Sequence, residues 1–191
     1  MPLNEPTPPE VAQSTFLKGL GDATHNRQMR FSLPIYALSL KELTKDSGDL
    51  VPRAVGWHFV AVDGRGLVAG EVPNLPDSGE RLTTSLAFGL LVEEAWKAYG
   101  QVRKHPELQK RSFELRGLRI AGLRIGAFWL KAAPFDGRLD QKDRLYAFLA
   151  FQKELKNQLV PAREFLRIAR ELAAKRILID NAPKLDSKDA R

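Results

Sequence analysis

Few side chains in this chain are able to carry acid–base or metal chemistry, and they lie far apart in the sequence. The histidines are His25, His58 and His105, and none has another histidine or a carboxylate at a metal-ligand spacing. There is no cysteine, which excludes thiol catalysis, Cys-ligated zinc and disulfides. We expect His58, which alternates with apolar residues, to be structural and His25 to belong to a polar loop. The sequence therefore predicts no metal site and no catalytic residue.

The glycine-rich segments and the paired acids add no catalytic motif. Asp63-Gly64-Arg65-Gly66 is too short for a phosphate loop and is typical of a hairpin turn. The glycines at 117–126 match neither the dinucleotide nor the nucleoside triphosphate pattern. Glu93 and Glu94 are adjacent on a predicted helix, where they diverge by about 100° and do not form an acid–base pair. We expect a protein without cofactor or catalysis, unless a deep pocket with a polar cluster surrounds one of the first two histidines.

One stretch, from Lys97 to Lys131, concentrates the positive charge. It holds nine Lys and Arg residues against two acids, and this surplus of seven equals the net charge of +7 for the whole chain. Such a surplus attracts polyanions. The alternatives are that the arginines pair with acids on the helices or on a protein partner, or that the charge serves solubility. The predicted basic binding patch consists of Arg103, Lys104, Lys110, Arg111, Arg116, Arg119 and Arg124.

Hydrophobic periodicity and turn signals predict the elements that position these residues. Two β-rich segments, 56–62 and 67–72, flank an Asp-Gly turn and predict a hairpin. A short helix is predicted over 10–20. Two longer helices are predicted over about 78–99 and 161–177, each from an apolar stripe at helical spacing.

The segment 112–131 contains a near-repeat, Gly-Leu-Arg-Ile, whose two copies start at Gly117 and Gly122. The offset of five residues reverses the faces of a strand, so a bulge or tight bend is expected at Ala121-Gly122. With further strands over 30–40 and 145–151, the chain is predicted to be α+β. We expect a mainly antiparallel sheet of about 5–6 strands, with the two longer helices packed on one face.

The chain of 191 residues is 43% hydrophobic, which is sufficient for one domain with a sizeable core. The N-terminus lacks the basic and apolar regions of a secretory signal, and no apolar run approaches the roughly 18 residues of a membrane span. We therefore expect a cytoplasmic protein that does not bind membranes. The predicted division is a flexible or peripheral N-terminal segment at 1–28, a single α+β domain at 29–178 and a polar C-terminal tail at 179–191.

Residues 118–132, LRIAGLRIGAFWLKA, resemble an uncharacterised bacterial family with the motif L-R-I-x-x-L-x-[IV]-x-A-[LF]-W-L. The resemblance continues at Glu164-Phe165-Leu166, where the helix of that family begins with the same residues. It departs at Ala121-Gly122, where the family has Pro-Ala, and at 152–158, which replaces a Pro-rich link. The resemblance implies a bacterial, cytoplasmic origin and no particular activity.

Three functions follow as hypotheses. The leading one is a non-catalytic interaction or structural module that binds another protein, or a second copy of itself, through the sheet. The second is electrostatic binding of nucleic acid through residues 97–131, which predicts an affinity that falls steeply with salt. The third is an unrecognised enzyme.

Overall fold

The computed structural model describes residues 3–21, 27–45, 50–64, 66–74 and 85–180. Within these ranges the α-helices are α1 (Glu10–Gly19), α2 (Leu40–Leu43), α3 (Leu90–Arg103) and α4 (Ala162–Asp180). The strands are β1 (Gln28–Ala37), β2 (Arg53–Asp63), β3 (Gly66–Pro73), β4 (Ser85–Phe88), β5 (Phe113–Ile120), β6 (Ile125–Ala132), β7 (Arg144–Leu149) and β8 (Leu159–Pro161). Two 3₁₀ turns cover Pro106–Gln109 and Ala121–Leu123.

One mixed sheet holds these eight strands in the order β4-β3-β2-β1-β5-β6-β7-β8. Neighbours are antiparallel except β1 and β5, which run parallel. The predicted α+β class is confirmed, but the expected number of 5–6 strands is wrong. The shortfall lies in β4 and β8, since strands of four and three residues are too short to show an alternating pattern.

The hairpin formed by β2 and β3 confirms the prediction from the Asp-Gly turn. Its register runs from Asp63 opposite Gly66 to Gly56 opposite Pro73. Alternation along β2 places Phe59 on one face of the sheet and Val60 on the other, and both side chains are buried. A strand that is apolar on both faces requires cover on both sides.

The helix predicted over about 78–99 is wrong at residues 85–88. Residues 75–84 lie outside the described residues, and Ser85–Phe88 form a strand that pairs with β3. Gly89 separates this strand from α3 with a φ of 84°, in the left-handed region that favours glycine. The leucine spacing fitted a helix, but the glycine inside that pattern marks the boundary between two elements.

Helices cover both faces of the sheet, whereas the sequence predicted one face. On the first face, α3 packs through Tyr99, whose ring stacks on Phe31 with centroids 4.3 Å apart. On the second face, α1 packs through Phe16, which stacks on Phe59 at 4.9 Å. Helix α4 also covers the second face, where its Phe165 joins the core cluster of β5, β6 and β7. It begins after Pro161, as predicted, and extends beyond the predicted end at 177 to Asp180.

The predicted tight bend at Ala121-Gly122 is confirmed as the 3₁₀ turn between β5 and β6. Because of this turn, equivalent residues of the two repeats lie on the same face of the sheet. Ile120 and Ile125 pair across the two strands and enter the same core cluster. Arg124 ends the turn with a φ of 53°, in the left-handed region.

The N-terminal segment contacts the sheet at two places. The backbone of Asn4 donates to the Phe113 carbonyl and accepts from the Leu115 amide, both at 2.8 Å. Further along, α1 buries Ala12 and Phe16 against β2 and β3. The division of the chain at 28 and 178 stays a prediction. None of the helices in the described ranges is long and apolar enough to cross a membrane.

Candidate functional site

A cleft of about 510 Å³ lies between the first part of α3 and the sheet. This volume falls within the roughly 300–1,000 Å³ that is usual for small-molecule sites. The later residues of α3, Ala98 and Tyr99, are buried in the core. The earlier residues, Leu91, Val92 and Ala95, form one wall of the cleft. The helix therefore covers the sheet closely at one end and leaves a space at the other.

The floor of the cleft is apolar because the strands place mainly apolar side chains on the face of the sheet that α3 covers. Leu33 and Ile35 of β1 and Phe128 of β6 lie there beside Phe148 of β7. Gly126 is part of the same floor, where a Cβ would stand 3.1 Å from the Phe148 ring. The glycine thus leaves the space that this ring occupies.

The mouth of the cleft has exposed apolar side chains. Leu91 and Phe151 line the cleft with 61% and 71% of their surface exposed, and the adjacent Leu90 is 78% exposed. We call these three residues the apolar rim. Large apolar side chains grouped on a surface are typical of a site that contacts a ligand or a partner.

A polar cluster lies on the same floor, formed by His58, Glu71 and Arg119. His58 and Glu71 pair across the hairpin, and the imidazole Nδ1 is 3.5 Å from the Glu71 Oε1. Arg119 donates from Nη2 to the same carboxylate oxygen. Because β1 and β2 lie between β5 and β3, the Arg119 side chain crosses two strands to reach Glu71.

The ion pair keeps the Glu71 carboxylate charged. Burial raises the pKa of this carboxyl, but hydrogen bonds from His58 and Arg119 outweigh that effect and lower the pKa to about 2. The carboxylate is therefore ionised at neutral pH and is neutralised by its own partners. Its place between two donors suits it to orient His58 and Arg119 rather than to act as an acid.

Arg124 is a second cation at the cleft. Its side chain is exposed and lines the cleft. Within the described part of the chain the Arg124 guanidinium has no hydrogen-bond or ion-pair partner. It lies two residues before Gly126, which pairs with Arg119 across β5 and β6, so both cations belong to the same end of the cleft.

The cleft contains few groups able to react. Among the described residues that line it, the polar side chains are His58, Glu71, Arg119 and Arg124, with no hydroxyl, thiol or amine. A histidine held by a carboxylate is able to move a proton, but no nucleophile stands beside it. A cleft with a polar cluster around His58 is the arrangement for which the sequence analysis kept an enzyme open.

The seven residues of the predicted basic patch are not brought together. Arg103, Lys104, Lys110 and Arg111 lie exposed where α3 joins β5, and we call them the cationic cluster. Arg119 and Arg124 lie at the far end of β5, about 20 Å away at the usual rise of a strand. Arg116 points to the opposite face and is 3% exposed.

Arg116 belongs to a buried polar network rather than to a surface. It donates to Glu114 at 2.7 Å and to the Phe135 carbonyl at 2.8 Å. Its guanidinium also lies over the rings of Tyr36 and Trp129, at 5.0 and 4.9 Å from their centroids. Arg116 therefore pairs within the fold, but with an acid of its own strand rather than with an acid on a helix, as the sequence analysis proposed.

The other predicted polar residues take no part in the cleft. His25 lies outside the described residues. His105 caps the following 3₁₀ turn, where its Nδ1 accepts from the Glu107 amide at 3.4 Å. Glu94 lies 3.9 Å from Lys97 on α3. In the ranges that the structure covers, no three His, Asp or Glu side chains converge as a metal site would require.

Glu71 is the functional candidate that the sequence analysis missed, and a signal for it existed. A hairpin in which Asp63 pairs with Gly66 also pairs His58 with Glu71 on one face. No sequence signal places Arg119 beside Glu71, because that contact depends on the parallel pairing of β1 with β5.

Comparison of the chain with models of protein families, with curated proteins and with solved structures finds no match. The function is therefore inferred from the chemistry of the cleft.

Proposed function

We propose that this protein binds a small, mainly apolar molecule in the cleft between α3 and the sheet, without converting it. The observation that supports this proposal is the cleft itself, with a volume of about 510 Å³ and an apolar lining that is interrupted at one end by His58, Glu71 and Arg119. Small-molecule sites combine an apolar body with a few polar groups that fix orientation.

A neutral fluorescent probe tests the proposal directly. N-phenylnaphthylamine is apolar and uncharged, and its emission rises when it leaves water. We expect it to bind the purified full chain with an affinity of micromolar order, because apolar burial is the main driving force. The change that tests the site is Ala87→Trp: Ala87 is exposed, lines the cleft and pairs with Ala69 on the floor.

The Ala87→Trp variant is expected to weaken probe binding at least tenfold, because the indole fills the cleft. Ala174→Trp is the matched control, since Ala174 is an exposed alanine of α4, which covers the other face. Circular dichroism establishes that both variants are folded. Absence of probe binding by the wild-type chain, or equal loss in the two folded variants, contradicts the proposal.

The interaction module predicted from the sequence is the second candidate function. It is supported by the apolar rim, in which Leu90 is 78% exposed. If a side chain from a second copy fills the cleft, the wild-type chain sediments as a dimer and Ala87→Trp sediments as a monomer. A wild-type monomer that binds the probe favours the small-molecule function. The bacterial and cytoplasmic origin implied by the resemblance at 118–132 remains part of the proposal.

A further inference from the structure

We infer that the ligand of this cleft carries a single negative group, which the Arg124 guanidinium receives. This inference rests on the proposed function and adds the chemical class of the ligand: an apolar molecule with one anionic group, such as a carboxylate or a sulfonate.

The charges that line the cleft favour a monoanion. Glu71 is ionised at neutral pH, since its pKa is about 2, and it cancels one of the two arginines. Among the described lining residues, the Arg124 guanidinium is then the arginine charge that no lining carboxylate compensates. A ligand with one negative group is able to pair with that guanidinium while its apolar part covers the floor.

The contacts distinguish the two arginines. Arg119 is committed to Glu71, so displacing it would leave a half-buried carboxylate without its partner. The Arg124 guanidinium has no partner among the described residues. The turn fixes the backbone of this residue, because its amide donates to the Ala121 carbonyl at 3.0 Å. Its left-handed φ of 53° is uncommon for a residue with a side chain. Arg124 is therefore the cation that remains available to a ligand.

The test compares two probes that differ by one charge. Anilinonaphthalene sulfonate is the sulfonated counterpart of N-phenylnaphthylamine, so the ratio of their dissociation constants reports recognition of the anion. We expect Arg124→Gln to raise the ratio of the sulfonate to the neutral constant by about fivefold, the effect of an exposed ion pair. Arg124→Lys retains the charge and is expected to retain most of the preference. Arg170→Gln, an exposed arginine of α4, is the matched control.

The outcomes separate the inference from the proposed function. If the neutral probe binds the cleft and the ratio does not change in Arg124→Gln, the inference is wrong and the proposed function stands. If neither probe binds the wild-type chain, both are wrong. If Arg170→Gln changes the ratio as much as Arg124→Gln, the preference reflects the net charge of the protein and the assignment to Arg124 is overturned.

Discussion

At the scale of the single residue, the polar end of the cleft depends on the Glu71 carboxylate. Its pKa of about 2 lies below the ordinary value of 4.5, so the folded state favours the ionised form. The resulting stabilisation is fully present above about pH 4.5 and is lost as the pH falls toward 2. Glu71 is 29% exposed and Arg119 is 46% exposed, so solvent screening limits the contribution to about 1–2 kcal/mol.

We therefore expect Glu71→Gln to lower the free energy of unfolding by about 1–2 kcal/mol at pH 7 and by clearly less at pH 3. Urea denaturation of the wild-type chain and the variant at both pH values measures this. Glu154→Gln is the control, because Glu154 is an exposed carboxylate and its replacement is expected to cost much less than that of Glu71 at either pH. If the free energies of unfolding of the wild type and Glu71→Gln differ by the same amount at both pH values, the ionised Glu71 carboxylate is not the source of the stabilisation.

The sequence indicates single residues well where local geometry determines them. The hairpin register follows from its turn, and with it the pairing of His58 with Glu71. The ion pair with Arg119 does not follow, because it joins residues 48 positions apart through a sheet order that no local pattern encodes. Arg116 was predicted wrongly in another way. Its position in a basic stretch suggested an exposed side chain, but that side chain lies on the face of β5 that is buried.

At the scale of elements, the connection between β6 and β7 is held by a buried carboxylate. Asp143 is completely buried and accepts hydrogen bonds from the Trp129 Nε1, at 2.8 Å, and from the amides of Ala132 and Asp140, both at 2.9 Å. The buried Lys131 ammonium lies 3.5 Å from the same carboxylate. One side chain thus joins both ends of the connection to the core.

Replacement of Asp143 by alanine is expected to destabilise the protein by about 3–5 kcal/mol, because it leaves the Trp129 and backbone donors buried without an acceptor. It also leaves the buried Lys131 ammonium with Asp136 alone, at 3.1 Å. The double variant Lys131→Met, Asp143→Ala is expected to lose less than the sum of the single changes, since it removes both members of one buried ion pair. Urea unfolding measures both. Asp180→Ala removes an exposed carboxylate that pairs with Arg176, and its cost is expected to stay below about 1 kcal/mol. Additive losses at 131 and 143 would show that the two groups are independent.

Elements with strong local signals were predictable, and those defined by their neighbours were not. The hairpin and α4 carry their own turn and periodicity signals. Strand β4 does not, because its four residues become a strand only by pairing with β3. The cleft escaped prediction for the same reason: it arises where α3 starts, and that point depends on Gly89 rather than on the leucine periodicity.

At the scale of the whole molecule, the positive charge is divided between two distant places. The cationic cluster lies where α3 meets β5, and Arg103 is 3.9 Å from Glu5 there. The arginines of the cleft lie about 20 Å away, at the other end of β5. This distance exceeds the Debye length of about 8 Å at physiological ionic strength, so the two groups act as separate sites. Binding of a nucleic acid at the cluster and binding of a small molecule in the cleft are therefore separable properties.

Changing the four residues of the cationic cluster to glutamate tests that separation. Each change replaces a positive by a negative charge, so the net charge falls from +7 to −1. We expect these changes to lower any affinity for single-stranded DNA. For the wild-type chain, the logarithm of the association constant is expected to fall with the logarithm of the salt concentration with a slope no steeper than about −3, since each of four contacts contributes about −0.7. The affinity of the cleft for N-phenylnaphthylamine is expected to stay within about twofold, because screening removes the influence of the cluster at that distance.

Fluorescence anisotropy with labelled DNA and probe titration on the same preparation measure the two affinities. Loss of probe binding together with DNA binding would show that the cluster and the cleft form one site, and retention of full DNA affinity would place the polyanion surface elsewhere on the molecule.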